Sequence, residues 1–340
     1  MKEYIISIVM PTFNSERTLE QSLLSIRNQN FPQEQVEILI IDGGSTDQTI
    51  EIATKYDAVV LENTRRLPEF AKQIGLLQAR GEYIIFIDSD ESFEDMNSFT
   101  RRIQLFRAHP EIKNLVSTGQ KCAQDENGVS RYANYIGDPF SNFVYRFNGY
   151  DRTKDLTRQY HFRKEEGYYL FDFTDSAYLP LFDALGNMFE VKTAKKIYIG
   201  QGENTSFAAN IFSNMARETN RAAMLENDYI YHQPGLSVAN YLQKLKWRVK
   251  NNLFQTDGVG FAERNKRETG LSKRKFMFIP YCALIVPVLV DAACMVKRNR
   301  DSYFWHHILY TEYTFITIAW YVFLKMIGYQ VKMDRSYGKG

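Results

Sequence analysis

One stretch of the sequence, residues 83–91, constrains the fold more than any other. It reads YIIFIDSDE, so a run of apolar, β-branched and aromatic residues ends abruptly at three carboxylates. An uninterrupted apolar run of this length is typical of a strand buried on both faces, as in a parallel sheet with helices on both sides. Because open α/β sheets bind ligands beyond the carboxyl ends of their strands, we expect Asp88 and Asp90 at a ligand-binding edge.

Asp88 and Asp90 are candidate ligands of a divalent cation. Two carboxylates separated only by Ser89 repel each other unless a cation lies between them. Mg²⁺ and Mn²⁺ accept carboxylate and phosphate oxygens together, so the pattern predicts a metal ion that carries a diphosphate. An acidic pair after a strand also commonly closes a turn or caps a helix, and the D-x-D spacing alone leaves that alternative open.

Strands and helices alternate throughout residues 4–108. The predicted strands are 5–10, 36–41, 58–61 and 82–87. One predicted helix begins near Asn14, and two more cover 48–56 and 69–79. This alternation predicts an α/β fold with a mainly parallel sheet flanked by helices. A fifth strand is expected at 114–119 and another at 229–232.

The second predicted strand runs into the glycine-rich sequence DGGSTDQT at 42–49. Two glycines allow a tight turn and a close approach of the backbone to a ligand. Asp42, at the carboxyl end of this strand, would lie at the ligand-binding edge of the sheet. The alternative is that Asp42 caps the next helix, although Ser45 and Asp47 are closer to it.

Three motifs carry a family resemblance: VMPTFNSE at 9–16, ILIIDGGSTDQT at 38–49 and GEYIIFIDSDE at 81–91. In this order they resemble the nucleotide-binding half of family 2 glycosyltransferases, inverting enzymes with the GT-A fold. The resemblance is strong over 4–108 and looser over 180–250. It implies a nucleotide-diphosphate sugar as donor and Mg²⁺ or Mn²⁺ as cofactor.

The resemblance also assigns roles to residues of this chain. The donor nucleotide would contact the end of the first strand and the D-G-G-S motif, through Pro11, Thr12, Phe13, Asn14, Asp42 and Gly43. Thr12 and Asp42 would contact the base, whereas Asp88 and Asp90 would hold the metal and the diphosphate, with Asp90 acting in catalysis.

The helix at 69–79 departs from the family pattern. Where the family often has Arg-Asn, this chain has Ala71-Lys72-Gln73. Lys72 keeps a positive charge for a donor phosphate, but a point charge does not replace the fork of an arginine, and a solvated helix lysine is the alternative. Arg65 and Arg66 in the preceding loop are further phosphate candidates.

A second departure lies at 203–204. The family carries a Glu-Asp pair there, whose Asp usually serves as general base, but this chain has Glu203 and Asn204. An amide does not take up a proton at neutral pH. Either Glu203 substitutes, or the acceptor is a phosphate that is already an anion and needs no base. Asn204 as a helix N-cap is compatible with both readings.

His232 closes the predicted strand at 229–232. Related enzymes often place a histidine here against the metal or the leaving diphosphate, so the resemblance makes His232 a candidate metal ligand. A surface histidine at a strand end is the alternative.

The charges of the chain are unevenly distributed. The chain has 42 Lys and Arg and 40 Asp and Glu. Residues 240–340 hold 17 of the basic and 7 of the acidic residues, a local balance of +10. The upstream part holds the other 25 basic and 33 acidic residues, a balance of −8. A basic amphipathic helix at 238–253 carries Trp247 and suits an anionic bilayer surface. The segments 276–296 and 308–328 have 21 residues each, enough to span a bilayer.

Neither segment reads as a clean transmembrane helix. The first contains two prolines and Asp291, and the second contains Glu312 and Lys325. Basic residues flank the first segment on both sides, so charge bias indicates no orientation. A hairpin in the cytoplasmic leaflet therefore fits as well as two spans, and burial in a soluble core is the remaining alternative.

These observations predict the domain organisation. A glycosyltransferase domain at 1–235 comprises a nucleotide-binding half at 4–108 and an acceptor half at 109–235, and a membrane-associated region follows at 236–340. The three cysteines show no zinc or disulfide spacing, and the N-terminal apolar run is too short for a signal peptide. We expect the catalytic domain on the cytoplasmic side of a cell membrane.

The predicted function is inverting, metal-dependent sugar transfer from a nucleotide-diphosphate sugar to a lipid-linked acceptor in cell-surface glycan synthesis. The acceptor would be a polyprenyl phosphate or a saccharide on a polyprenyl diphosphate; no nucleic-acid partner is expected. Two alternatives remain open. A nucleotidyltransferase would release pyrophosphate, and a catalytically silent membrane adaptor is favoured by Asn204 but opposed by the intact D-S-D sequence.

Overall fold

A computed structural model describes residues 3–123, 125–145, 151–176, 179–180, 186–202, 207, 210–254 and 269–329. The described residues form two compact units. The first comprises 3–121 and 151–233, and the second comprises 122–145, 234–254 and 269–329. The segment after 121, which the sequence analysis assigns to the acceptor half, thus groups with the C-terminal helices.

The first unit contains twelve strands in two sheets. They are β1 (Ile6–Thr12), β2 (Val36–Asp42), β3 (Val59–Glu62), β4 (Tyr83–Phe86), β5 (Glu91–Phe93), β6 (Asn114–Val116), β7 (Gly119–Lys121), β8 (His161–Glu165), β9 (Tyr168–Asp172), β10 (Met188–Glu190), β11 (Arg221–Leu225) and β12 (Tyr229–His232). The large sheet has the order β3-β2-β1-β4-β10-β6-β11-β9-β8, and the small sheet has the order β5-β12-β7.

Thirteen α-helices are described in the two units. They are α1 (Leu19–Arg27), α2 (Thr49–Lys55), α3 (Pro68–Gln78), α4 (Ser98–Ala108), α5 (Gly128–Ile136), α6 (Pro139–Tyr145), α7 (Thr153–Gln159), α8 (Val191–Gly200), α9 (Ile211–Thr219), α10 (Val238–Phe254), α11 (Thr269–Ala283), α12 (Val286–Asn299) and α13 (His307–Met326). Helices α5, α6 and α10–α13 belong to the second unit.

The first four strands of the large sheet, β3, β2, β1 and β4, are all parallel. Their apolar runs fill the core, where Ile8, Ile40 and Ile85 are fully buried. The register pairs Thr12 with Asp42, so the carboxyl ends of β1 and β2 meet at one edge. This half of the sheet follows the alternation predicted from the sequence.

The rest of the large sheet is mixed. β10 lies antiparallel between β4 and β6, and β9 lies antiparallel between β11 and β8. Only β6 and β11 form a parallel pair in this part. The prediction of a mainly parallel sheet is therefore wrong beyond β4, because β10 arrives from a distant part of the sequence and reverses the direction. The predicted fifth strand is also divided, with β6 in the large sheet and β7 in the small one.

Helix α1 begins later than predicted. Asn14 has a φ of 48°, which is outside the helical region, and the carbonyl of Ser15 accepts from the N–H groups of Thr18 and Leu19 in a turn before the helix. The chain between β1 and α1 is therefore a structured loop at the sheet edge.

Helix α3 packs directly on β1 at Gly75. A Cβ built on Gly75 would lie 2.2 Å from Cγ1 of Val9, so no larger residue fits without moving the helix. This close approach fixes the height of α3 over the sheet, and Lys72 lies one turn earlier on the same helix.

The second unit is helical. Helices α10 and α13 pack together with α5 around Tyr132, Tyr241 and Tyr310, and α6 packs with α11 and α12 around Phe278. Across the described parts of the chain, no single helix has the length and apolar composition to cross a membrane. The helix pair 274–283 and 286–299 reaches that length and apolar composition in combination, but it bends by 94° at the break.

Candidate active site

The carboxyl ends of β1 and β2 are joined by a side-chain hydrogen bond. The hydroxyl of Thr12 donates to Oδ1 of Asp42 at 2.9 Å, and both residues are buried. The N–H of Gly43 donates to the carbonyl of Thr12 at 2.9 Å. The two residues expected to contact a nucleotide base therefore lie side by side at the sheet edge.

Asp42 also closes its own loop. Oδ2 accepts from the N–H groups of Gly44 and Ser45, both at 2.8 Å, and Oδ1 accepts from the Ser45 hydroxyl at 2.5 Å. Gly44 has a φ of +87°, which is accessible to glycine without strain. With the Thr12 hydroxyl, four donors fill the accepting capacity of the carboxylate. Asp42 holds the D-G-G-S turn, so a base can bind it only by replacing one of these donors.

The structure shows that Asp47, and not Asp42, accepts at the start of the second helix. Oδ1 of Asp47 accepts from the N–H of Thr49 at 3.0 Å, so Asp47 serves the start of α2. Its Oδ2 accepts from the N–H of Glu16 at 3.1 Å, which ties the loop after β1 to the start of α2.

The loop after β1 is attached to the loop after β2. The amide oxygen of Asn14 accepts from the N–H of Thr46, and the Asn14 N–H donates to the Ser45 hydroxyl, both at 2.9 Å. Pro11 pairs with Ile41 in the register of the two strands. The predicted donor-binding residues of the two loops thus form one continuous surface.

Arg66 joins this surface at Phe13. Its guanidinium carbon lies 5.6 Å from the centre of the Phe13 ring, and its Nη2 lies 3.6 Å from the position of a Cβ at Gly44. Arg65 instead lies over the ring of Phe70, at 4.4 Å. Of the two arginines proposed from the sequence, Arg66 is the one beside the predicted base site.

Asp88 and Asp90 follow β4, as predicted, and each has a basic neighbour. Nζ of Lys72 lies 3.7 Å from Oδ1 of Asp88, and Nε2 of His232 lies 3.5 Å from Oδ2 of Asp90. The Ser89 hydroxyl donates to the Ser15 hydroxyl at 2.9 Å, which connects this loop to the loop after β1. The structure therefore brings the acidic pair, Lys72 and His232 to the edge that holds Thr12 and Asp42.

Glu91 is a site residue to which the sequence analysis gave no role. It is buried behind the acidic pair, where it accepts from the Asp88 N–H at 3.1 Å and from the Gln120 amide at 2.6 Å. Burial, and then the charges of Asp88 and Asp90, raise the pKa of Glu91 to about 8. Its signal in the sequence is its position as the third carboxylate of D-S-D-E.

A buried ion pair positions the strand that carries His232. Nη2 of Arg102 in α4 lies 2.7 Å from Oδ2 of Asp228, which precedes β12, and both side chains are buried. The Ser98 hydroxyl donates to the same carboxylate, and Arg102 donates to the carbonyl of Gly186 at 2.6 Å. The small sheet then pairs His232 with Glu91 in register.

The predicted metal ligands do not form a ready-made metal site. Within the described ranges, no three His, Cys, Asp or Glu side chains are grouped closely enough to hold a metal ion. Mg²⁺ is usually held by one or two carboxylates together with substrate phosphates, so a cage made wholly of protein ligands is not required. Glu203 and Asn204, the candidates at the general-base position, lie outside the described residues.

The chain resembles a solved mannosyltransferase structure over most of its length. That structure is the mannosyltransferase PcManGT from Pyrobaculum calidifontis in complex with GDP-Man and Mn²⁺, with a TM-score of 0.53 and 13% identity over 95% of this chain and 88% of that one. At this identity the likeness shows the fold alone, an α/β fold of the GT-A type with a mixed central sheet.

Sequence relatives match a shorter part of the chain. The poly(ribitol-phosphate) beta-N-acetylglucosaminyltransferase TarS of Staphylococcus aureus is 36% identical over 91 residues, which are 25% of this chain and 16% of that protein. The GalNAc(5)-diNAcBac-PP-undecaprenol beta-1,3-glucosyltransferase of Campylobacter jejuni is 32% identical over 93 residues, 25% of this chain and 28% of that protein. The matched region is less than two thirds of either relative.

The family model for glycosyl transferase family 2 matches residues 7–166. This range contains β2, β4 and all of β1 except its first residue, with the loops that carry Thr12, Asp42, Asp88 and Asp90. Residues 7–166, just under half of the chain, therefore form a domain of glycosyltransferase family 2.

Proposed function

We propose that this chain is an inverting, metal-dependent glycosyltransferase that uses a nucleotide-diphosphate sugar and a lipid-linked acceptor at the cytoplasmic face of a cell membrane. One observation carries the proposal. The acidic pair after β4, flanked by Lys72 and His232, lies at the same sheet edge as Thr12 and Asp42. A nucleotide that lies across the carboxyl ends of neighbouring parallel strands would have its base at one strand end and its diphosphate at the next.

The chemistry of the acidic pair fits Mg²⁺ or Mn²⁺. Within the described structure, Oδ1 of Asp88 is buried without a hydrogen-bond partner, and its neighbour is the Lys72 ammonium at 3.7 Å. Such an oxygen is available to a cation, and carboxylate oxygens are preferred ligands of these ions. Asp88 and Asp90 would hold the metal, with His232 next to Asp90. A bound divalent ion would stabilise the negative charge of the departing diphosphate.

Lys72 contributes a second positive charge at this edge. Its side chain is largely buried in α3, and its ammonium points at the acidic pair, as the 3.7 Å ion pair with Asp88 shows. A desolvated ammonium interacts more strongly with a phosphate than a solvated one does. We assign Lys72 to the donor diphosphate in place of the family's arginine.

The acceptor is proposed to be a polyprenyl phosphate or a saccharide on a polyprenyl diphosphate. The name of the Campylobacter relative gives it an undecaprenol-linked substrate. A phosphate acceptor is anionic before it attacks, so it needs no general base, which suits Asn204 at the general-base position. The basic C-terminal region supports the proposal that the reaction takes place at an anionic membrane surface.

A transfer assay tests this function. The full-length chain is incubated with Mn²⁺, polyprenyl phosphate and labelled UDP- and GDP-sugars in turn, and the label in the lipid extract is measured. We expect Asp90→Asn to lower transfer at least about 100-fold, because it removes half of the charge that holds the metal. Asp57→Asn makes the same chemical change at an exposed position and should retain activity.

The products and the binding data separate the alternatives. A glycosyltransferase releases a nucleoside diphosphate, whereas release of pyrophosphate would identify a nucleotidyltransferase. Titration calorimetry of nucleotide sugars with and without Mn²⁺ tests for an adaptor. If nothing binds in a metal-dependent way and no label reaches the lipid, the proposed function is wrong.

A further inference from the structure

In helix α13, every buried side chain carries a polar group, whereas its apolar side chains are partly buried, as Ile308, Phe315 and Ile318 are, or exposed. The buried side chains are those of His307, Tyr310, Thr311, Thr314, Thr317 and Tyr321. The exposed ones include Leu309, Ile316, Trp320 and Phe323, which are 51–64% accessible and lie at helical spacing along one face. A helix on the surface of a water-soluble domain shows the opposite pattern, with its apolar stripe towards the core.

Several buried polar groups of this helix are bonded within the protein, whereas Oε1 of Glu312 is buried without a hydrogen-bond partner in the described residues. The hydroxyls of Thr314 and Thr317 donate to the carbonyls four residues earlier, both at 2.7 Å. His307 contacts the Tyr132 hydroxyl at 2.7 Å and the Tyr281 hydroxyl at 3.2 Å. Internal satisfaction of polar groups beneath an apolar exterior is what a lipid environment requires.

The bent pair α11–α12 continues the apolar exterior. Its tip consists of Leu284, Ile285 and Val286, which are 66%, 49% and 63% exposed. Of the 25 large apolar side chains exposed in the described residues, 17 lie in 276–329. An exposed apolar surface of this extent marks an interaction site rather than ordinary surface variation.

The bend itself is built into the chain. Ile285 has a φ of +57°, an unusual conformation for a β-branched residue, and Pro287 follows in the first turn of α12. The two arms are connected inside the bend, where the Tyr281 hydroxyl donates to Oδ2 of Asp291 at 2.8 Å. The single carboxylate of the pair is therefore bonded between the arms.

Basic residues stand at both outer ends of the pair. Arg274 and Lys275 precede the apolar part of α11, and Lys297, Arg298 and Arg300 follow that of α12. If the pair crossed a membrane, one basic group would lie on each side, against the usual bias of positive charge to one side. If the pair enters and leaves the same leaflet, both groups face the same layer of lipid headgroups.

We propose that the bent pair α11–α12 and the outer face of α13 form a lipid-facing surface that inserts into one leaflet of an anionic bilayer without crossing it. The arms 276–283 and 286–296 are about 12 and 16 Å long at 1.5 Å per residue, each about half of a 30 Å hydrocarbon core. The basic groups at their ends select anionic headgroups. The proposal specifies the membrane contact of the function proposed above but does not depend on sugar transfer.

Vesicle flotation of the full-length chain tests the surface directly. We expect the protein to float with vesicles of phosphatidylcholine and phosphatidylserine at 7:3. Met277→Asp and Leu284→Asp should each weaken binding at least about tenfold, because each removes an apolar side chain from lipid and adds a charge. Met96→Asp is the matched control, since Met96 in the first unit and Met277 are both 57% exposed. It should float like the parent.

The headgroup preference is tested separately. Lys297→Gln and Arg300→Gln should each reduce binding to the anionic vesicles by about fivefold and have little effect with phosphatidylcholine alone. Equal flotation of the Met277→Asp variant and the parent would overturn the proposal. The proposal would also be overturned if the parent failed to float and instead formed a lipid-free dimer that Met277→Asp separated into monomers. A second copy of the chain, rather than lipid, would then cover the face.

Accessibility distinguishes insertion into one leaflet from a span. Single cysteines replace Lys275 and Arg300 in a background without the three native cysteines, and the chain is added to sealed vesicles. An impermeant maleimide outside should label both positions. Labelling of only one position would show that the pair crosses and would overturn the one-leaflet arrangement. Circular dichroism and a cooperative melting transition like that of the parent confirm folding in each variant without using nucleotide, so failure here is distinct from failure of the transfer function.

Discussion

At the scale of single residues, the surroundings of Glu91 strongly raise the pKa of its carboxyl group. Its pKa is about 8 in the folded chain, against an ordinary value of 4.5, because burial and the charges of Asp88 and Asp90 disfavour its anion. Between these values the folded chain holds a proton that the unfolded chain has lost. This contribution to stability is complete below the unfolded pKa and is lost as the pH rises through the folded pKa.

We expect Glu91→Gln to remove this pH dependence. The variant cannot ionise, and Gln120 can turn its amide to accept where it now donates. The stability of the variant relative to the parent should rise with pH, on the order of 1 kcal/mol per unit between about 5 and 8. Urea unfolding of the chelator-treated protein at pH 5, 6, 7 and 8 measures the difference.

Glu34→Gln, at an exposed position, provides the baseline for this series and should differ from the parent by a constant amount. A constant difference for Glu91→Gln as well would mean that the carboxyl does not titrate in this range. The burial described behind the acidic pair would then be incorrect.

Site residues that follow directly from a motif were predictable from the sequence. Asp88 and Asp90 end an apolar run, and Thr12 and Asp42 end two others, so a parallel sheet brings them to one edge. The role of Glu91 was not predictable, because its hydrogen-bond partner Gln120 is 29 residues away in the sequence. The occupation of Asp42 by four donors likewise depends on how its loop folds back, which neither spacing nor composition fixes.

At the scale of elements, the ion pair of Arg102 and Asp228 holds α4 against the turn before β12. We expect Arg102→Met to lower the melting temperature by at least about 6 °C, because it leaves a buried carboxylate without its counter-charge, a loss of about 3–5 kcal/mol. The next residue supplies the control. Arg101 has an ion pair of the same length, 2.7 Å, with Asp95, but both side chains are about a quarter to a third exposed.

Arg101→Met should therefore lower the melting temperature by less than about 3 °C, since exposed pairs contribute below about 1 kcal/mol. Equal shifts for the two variants would show that burial does not distinguish the pairs. Calorimetric melting of both proteins in one buffer gives the comparison.

The contact of α3 with β1 gives a second prediction at this scale. Gly75→Ala places a methyl group 2.2 Å from Val9, so α3 must move or the core must strain, at a cost of about 1–3 kcal/mol. Because α3 carries Lys72, nucleotide-sugar affinity should fall together with stability. Gly200→Ala, at the end of α8 with open space around it, should leave both quantities unchanged in urea unfolding and calorimetric titration.

The sequence predicted the elements of the first half of the large sheet but not those of the second. In the first half, each strand is an apolar run and its neighbour in sequence is also near in space. β10 has only three residues and is inserted between β4 and β6 by contacts from distant parts of the chain. The bend at Ile285 divides a segment that reads as one apolar run, because hydropathy does not record a backbone angle.

At the scale of the whole molecule, the two units offer different chemistry to two anionic ligands. The first unit presents a carboxylate pair, which in the proposed function would reach phosphate through a divalent ion. The second presents apolar side chains with exposed Lys and Arg beside them. These cations would attract anionic lipid directly, and salt screens such an attraction. The uneven charge of the sequence, −8 over residues 1–239 and +10 over residues 240–340, agrees in sign with these two proposed roles.

The two ligands should therefore be separable by solution conditions. We expect EDTA to abolish nucleotide-sugar binding and to leave flotation on anionic vesicles unchanged, because the lipid-facing surface uses no metal. Raising NaCl from 0.05 to 0.5 M shortens the Debye length to below about 5 Å, so it should weaken flotation several-fold and change metal-dependent nucleotide binding less. Calorimetry and flotation on the same preparation measure both effects. Release of the chain from vesicles by EDTA at constant ionic strength would mean that a metal ion bridges the protein to lipid phosphate. The acidic pair of the first unit, rather than the apolar face of the second, would then be the membrane contact.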